Sequence, residues 1–217
     1  MDRCRRVHFP HADTSGSRPG CDTAKQRGRR HAGDNVAPNQ GKLLHLLAKI
    51  RGARRILEIG TLGGYSTIWL ARALPSDGKL VSLEMEPSHA ALARRNIEGA
   101  GLSSMVSIMV GKATDSLNKL VADKAEPFDF IFIDADKESN PEYLQWSLKL
   151  SGPGTVIIGD NVVRKGSIAD SGNNDPDVLA VRSFLEVMGA EPRLTSTAIQ
   201  TVGSKGWDGF SISVVSK

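Results

Sequence analysis

Residues 55–74 read RILEIGTLGGYSTIWLARAL, and this stretch decides the fold. Arg55 to Ile59 is a short apolar run that ends in glycines, the pattern of a buried strand, and Tyr65 to Leu74 has the apolar spacing of a helix. A strand that turns through glycines directly into a helix is the first half of a parallel crossover. The same rhythm repeats downstream. Strands are predicted at Lys79 to Glu84, Met105 to Val110, Phe128 to Ile133 and Thr155 to Ile158, with helices near 88–99, 113–121, 141–149 and 177–188. Upstream, Leu43, Leu44, Leu46, Leu47 and Ile50 form the apolar stripe of another helix. Strands separated by helices of this length make an open, mostly parallel α/β sheet with helices on both faces. The rhythm breaks at the end, where Arg193 to Val202 and Gly209 to Val215 both read as strands. Residues 203–209 between them have turn composition and no room for a helix, so the last strand runs antiparallel. Asp175-Pro176 is a helix cap followed by proline at the first helical position, which marks Val162 to Asn174 as an exposed loop.

The chain has 217 residues, of which 40% are hydrophobic and 24% charged. That suits one globular domain with a sizeable core and excludes disorder throughout. No stretch approaches the roughly 18 to 20 apolar residues of a membrane-spanning helix, and the Arg-rich start lacks the apolar core of a secretory signal. A cytoplasmic protein is the expectation. The net charge of +4 invites a nucleic-acid reading, but eight of the 28 basic and four of the 24 acidic side chains precede Asn35, which leaves 20 of each beyond it. The body is therefore neutral. Cys4 and Cys21 are the only cysteines, so residues 35–217 carry no thiol for a disulfide, thiol catalysis or a Cys-rich zinc site. Residues 1–34 have neither a 3.6-residue nor a 2-residue apolar period and read as a disordered basic tail. The spacing of Cys4, His8, His11 and Cys21 fits no usual zinc finger. The abrupt switch at Asn35 is also what a shifted reading frame or a misassigned start would produce.

In an open parallel sheet, ligands bind outside the carboxyl ends of the strands, beside the point where strand order reverses. Glu58-Ile-Gly60-Thr61-Leu-Gly63-Gly64-Tyr-Ser66 occupies such a turn. Its glycines permit close approach of a ligand, its spacing is not that of a dinucleotide fingerprint, and Glu58 suits a ligand with a cationic end. Glu84 ends the next strand, where a carboxylate can accept from both hydroxyls of a ribose. A purely structural turn is the alternative for either feature alone.

Two more strand ends carry charge. Phe128 to Ile133 runs into Asp134-Ala135-Asp136-Lys137, and Thr155 to Gly159 runs into Asp160-Asn161. One crossover between them would make the strands neighbours with both acidic ends on one rim. Asp134, Asp160 and Asn161 then offer three hard oxygen ligands, a set that suits Mg²⁺, with Mn²⁺ or Ca²⁺ possible. Helix capping is the alternative role for either aspartate. Lys137 stands close enough to such an ion to serve as a general base.

Together LEIGTLGGYST, FIDADK and GDN resemble the cation-dependent, S-adenosylmethionine-using O-methyltransferases, the family of caffeoyl-CoA and catechol O-methyltransferases, and most closely its small bacterial members. The resemblance runs from about Asn35 to Val215. It implies a Rossmann-like class I methyltransferase fold, a seven-stranded sheet with a reversed last strand, and a homodimer. It implies that S-adenosylmethionine is held around Val36 and by Glu58, Gly60, Thr61, Ser66, Glu84 on the ribose, Ala113 near the adenine, Asp134, Asp136 and Tyr143. Asp134, Asp160 and Asn161 match the metal ligands, and Lys137, beside Asp134, matches the catalytic base. The implied reaction is chelation of a catechol-type vicinal diol, proton removal by Lys137 and direct attack on the sulfonium methyl group. Val162 to Asn174 and Trp207 are candidates for the acceptor pocket, surface packing being the alternative for Trp207. Family members usually add an N-terminal helix over the active site, for which residues 1–34 have no apolar face. Two other functions stay open: methylation of a hydroxylated wobble uridine in tRNA, which the neutral body disfavours, and cofactor binding without turnover.

Overall fold

The computed structural model describes residues 36–204 and 206–216. The readings of residues 1–34 as a disordered or misframed tail, and the domain boundary at Asn35, lie outside the described residues. In chain order the elements are α1 (Pro38–Arg51), β1 (Arg55–Ile59), α2 (Tyr65–Ala71), β2 (Lys79–Glu84), α3 (Pro87–Gly99), β3 (Val106–Val110), α4 (Ala113–Ala122), β4 (Phe128–Ile133), α5 (Asn140–Lys149), β5 (Ser151–Asp160), α6 (Pro176–Ala190), β6 (Leu194–Gly203) and β7 (Gly206–Val215). The strands form one seven-stranded sheet in the order β3-β2-β1-β4-β5-β7-β6. The first five are mutually parallel, and β7 runs antiparallel to both β5 and β6. Strand order reverses between β1 and β4, as expected of a ligand-binding switch point.

The apolar strands are continuous because each must feed two cores. On β1 and β4, Ile56, Phe130 and Phe132 pack with Leu44, Leu70 and Ile97 of α1, α2 and α3. Their neighbours Leu57, Ile59, Ile131 and Ile133 pack with Leu117, Leu144 and Phe184 of α4, α5 and α6. All of these residues are buried, so alternation along a central strand divides it between two faces rather than between core and water. Among the described residues, no helix is long and apolar enough to cross a membrane.

Three local expectations need correction. β5 begins at Ser151, not Thr155. The pairing shifts register between Phe128 and Phe130, and the Thr155 hydroxyl accepts from Gly152 N at 3.0 Å and donates to Phe128 O at 2.7 Å. A bulge thus carries the strand past Pro153. β7 begins at Gly206, not Gly209, because Gly203 pairs with Gly206 and Val202 with Trp207. The turn is shorter than expected, and Trp207 and Asp208 become strand residues. Finally, Val162 to Asn174 does not begin as an exposed loop. Val162 and Val163 are buried, Arg164–Ala169 is a helical turn broken by a kink at Lys165 and Gly166, and Asp175 caps α6 as expected, accepting from Asp177 N at 2.9 Å.

Candidate functional site

Register brings the site together. β1 pairs Ile59 with Leu83 on one side and with Ile133 on the other, β4 pairs Ile133 with Gly159, and β5 pairs Asp160 with Phe210. The next residues therefore form one row across the rim: Glu84, Gly60, Asp134, Asp160 and Phe210. All five line one cavity of about 800 Å³.

One flank of this cavity is the turn after β1. Gly60 has φ +101°, Leu62 +49° and Gly64 +80°. A Cβ at Gly60 would lie 2.1 Å from Asp134 O, so glycine is required here by the neighbouring strand as well as by the backbone angle. Glu84 closes the turn: one oxygen accepts from Thr61 N at 3.2 Å and Leu62 N at 2.7 Å, the other from Glu86 N at 2.9 Å. His89 Nδ1 stands 3.5 Å from the same carboxylate. Thr61, Ser66, Glu84 and Ala113 line this flank, with Val36 at the start of the described chain.

Glu58 is the exception among the expected residues. It does not line the cavity. It is fully buried beneath the turn, where Ser66 Oγ donates at 2.6 Å to one oxygen and Ser82 Oγ at 2.6 Å and Thr67 Oγ1 to the other. Burial pushes its carboxyl up to about 7, Asp134's charge adding and the three hydroxyls opposing. Its folded value thus exceeds the ordinary 4.5. Between these two pH values the folded state keeps a proton that the unfolded chain has released, so this group's contribution to stability falls as pH rises through the window, by up to about 3 kcal/mol. Thermal melts should therefore drop more steeply from pH 5 to pH 8 in the wild type than in Glu58→Gln. Parallel curves would refute this.

The centre of the rim is acidic. Lys137 Nζ donates to Asp134 Oδ1 at 3.1 Å, and the lysine is buried. Asp160, also buried, is pushed up to about 7 by desolvation and by the charge of Asp134, with Lys137, Asn161 N–H and the Gln40 side chain opposing. Asn161 adopts φ +58°, a left-handed conformation that asparagine tolerates, and it lines the cavity beside Asp160. Asp136 accepts from Tyr143 Oη at 2.6 Å and Ser139 N at 3.2 Å. Burial acts to raise its carboxyl, but these hydrogen bonds outweigh it and hold the group below the ordinary carboxylate value. Burial and the Asp136 contact raise the Tyr143 phenol. Among the described residues, no three His, Cys, Asp or Glu side chains converge as a metal centre. Asp134, Asp160 and Asn161 line the same cavity.

The far flank combines the segment after β5 with β7 and α1. Arg164, Lys165, Trp207 and Asp208 line it, and Asn39, Gln40 and Leu43 close it from α1. Sequence reasoning missed Gln40 and the α1 wall, although Asn39, Gln40 and Leu43 recur at the spacing of one helical face.

The chain is similar to known proteins along most of its length. A family model described as O-methyltransferase matches residues 22–208. The catechol O-methyltransferase of Niastella koreensis is 52% identical over 181 residues, covering 83% of this chain and 82% of that protein. The crystal structure of an O-methyltransferase from Bacillus cereus in complex with SAH superposes with a TM-score of 0.84 at 58% identity, covering 88% of this chain and 86% of that one. The O-methyltransferase TomG from Streptomyces achromogenes, in complex with SAM, gives a TM-score of 0.82 at 50% identity, covering 85% and 82%.

Proposed function

The chain belongs to the O-methyltransferase family and is an S-adenosylmethionine-dependent enzyme with the Rossmann-like methyltransferase fold; from this premise we propose that it methylates one hydroxyl of a catechol-type small molecule with the help of a divalent cation, Mg²⁺ being the best match. The observation that carries the reading is the rim row, in which Gly60 and Glu84 share one cavity with Asp134 and Asp160.

The residues fit both groups. The turn Gly60–Ser66 offers a glycine backbone at the centre of the rim, with Glu84 one strand further for the ribose and Ala113 beyond it for the adenine. Val36, Asp136 and Tyr143 complete the proposed donor contacts, and Glu58 acts through the turn it braces. For the cation, Asp134, Asp160 and Asn161 supply oxygen donors of the hard type that Mg²⁺ prefers. The raised Asp160 carboxyl is the mark of two carboxylates crowded in a dry rim, which a cation relieves. When bound, the ion supplies Lewis acidity and a template for two vicinal oxygens, and S-adenosylmethionine supplies a methyl group on a sulfonium.

The chain's own residues do the rest. In its neutral amine form Lys137, held beside Asp134 at 3.1 Å, would accept the acceptor's hydroxyl proton. The deprotonated oxygen then attacks the methyl carbon, a C–O bond forming as the S–C bond breaks. Orientation of the reacting groups contributes up to about 7 to 11 kcal/mol in well-arranged cases. The exposed outer strand β6, with Ile199 and Val202 on its surface, supports a homodimer.

The test is methyl transfer from labelled S-adenosylmethionine to catechol. With Mg²⁺ the product should form, excess chelator should abolish it, and added Mg²⁺ should restore it. Full turnover in chelator would reject the cation while leaving methyl transfer standing.

A further inference from the structure

The cavity wall carries nine acidic or basic side chains. On the turn flank and across the rim, each has a partner described above. On the far flank, Arg164 pairs with Asp177 at 2.6 Å, and Asp208 Oδ1 accepts from Val163 N, Arg164 N and Gly209 N at 3.0, 3.0 and 2.9 Å. Lys165 alone has no hydrogen bond or ion pair among the described residues.

That lysine is held in place by an unusual backbone. Arg164 and Lys165 have φ +51° and +54°, and Gly166 follows at +85°. Two successive non-glycine residues in the left-handed region persist only where the surroundings over-determine them. Here they do. Asp208 fixes the entry to the turn, and Gly166 N donates to Val163 O at 2.9 Å. The Arg182 guanidinium on α6 donates to the carbonyls of Ile168 at 2.9 Å, Asn173 at 3.1 Å, Ser167 at 3.3 Å and Asp170. Trp207 lies against the same turn, since a Cβ on Gly166 would be 2.6 Å from its ring. The clamped segment therefore carries an exposed lysine on the cavity wall, one residue before the glycine against which the Trp207 ring lies.

An acceptor entering this flank also faces Asp136, while a cation held by Asp134 and Asp160 as proposed would leave the centre of the rim near neutral, so Lys165 is the charge left over for an anionic substituent. A neutral catechol would leave Lys165 without a counterpart. An acidic one would supply it. Resting on the proposed reaction, we propose that Lys165 is a specificity residue and that the acceptor is a catechol bearing an anionic ring substituent, a carboxylate being the simplest, with its ring against Trp207.

The experiment compares kcat/KM for 3,4-dihydroxybenzoate and for its uncharged analogue 3,4-dihydroxybenzamide, using the full chain with S-adenosylmethionine and Mg²⁺ at low salt. The acid-to-amide ratio should fall roughly three- to fivefold in Lys165→Met, as an exposed charge pair allows, and further in Lys165→Glu. Added salt should lower the wild-type ratio and leave that of Lys165→Met nearly unchanged. An unchanged ratio in both variants overturns the proposal, and so does equal loss on both acceptors. A loss confined to S-adenosylmethionine affinity also overturns it, by assigning the lysine to the donor. If the wild type binds donor but methylates neither acceptor, the catechol reading itself falls, and this inference with it.

Discussion

Replacing Lys137 with methionine is expected to lower kcat by about 10²- to 10⁴-fold, the usual size of a general-base contribution, while donor affinity and melting temperature change little. The lysine is buried at the centre of the rim with its Nζ 3.1 Å from Asp134. Methionine keeps an unbranched stem of similar length, so packing is largely retained. What is lost is the only basic side chain among the five residues that run from Asp134 to Glu138. The same substitution removes the charge that opposes the upward push on Asp160, so an electrostatic role must be separated from proton transfer. Lys137→Arg separates them: the cation stays, but arginine does not give up a proton near neutral pH. Single-turnover transfer of labelled methyl at saturating donor and Mg²⁺ gives the answer. If the arginine variant turned over like wild type, Lys137 would be a charge-balancing residue and the proton would have to leave by another route.

The sheet and most of the site were legible because both follow from local pattern plus one geometric rule. Apolar runs that end in Gly60, Glu84, Asp134 and Asp160 must, in a parallel sheet with short crossovers, end on the same rim. Register then made them a row. Glu58 could not be read in this way. Its position in sequence, two residues before Gly60, is equally compatible with facing a ligand and with lying under the turn; the outcome depended on Ser66, Thr67 and Ser82 converging on it, two of them on α2 and one on β2. The start of β7 was hidden for a similar reason. Residues 203–209 carry three glycines, which signal a turn, yet Trp207 and Asp208 belong to the ladder because Val202 and Thr201 stand opposite them. The wall after β5 was missed as a fastened element because its fasteners, Arg182 and Asp208, are far away in sequence.

Gly60→Ala is expected to destabilise the fold by about 2 to 5 kcal/mol and, in whatever fraction still folds, to cost about 10²-fold in turnover. The added methyl would meet Asp134 O at 2.1 Å and Asp134 C at 2.7 Å, at a residue whose φ of +101° already disfavours a side chain. Backbone strain costs roughly 1 to 2 kcal/mol and overpacking typically another 1 to 3. Neither partner can yield cheaply. Gly60 N is bonded to Leu83 O at 3.0 Å and Asp134 N to Ile59 O at 2.8 Å, so separating them breaks the ladder on one side of β1 or the other. Because the obstructing atom belongs to Asp134 itself, any relief moves the residue on which Lys137 rests, and a shift of about 1 Å at a reacting centre can cost 10²-fold. Gly52 is the matched control. It too is left-handed, at φ +68°, but a Cβ there meets nothing within 4 Å, so Gly52→Ala should cost only the backbone share, about 1 to 2 kcal/mol, and leave turnover intact. Denaturant melts of the two variants, with turnover measured at saturating donor, give the comparison. Equal destabilisation would mean that the close approach of β1 and β4 at the rim does not constrain the site.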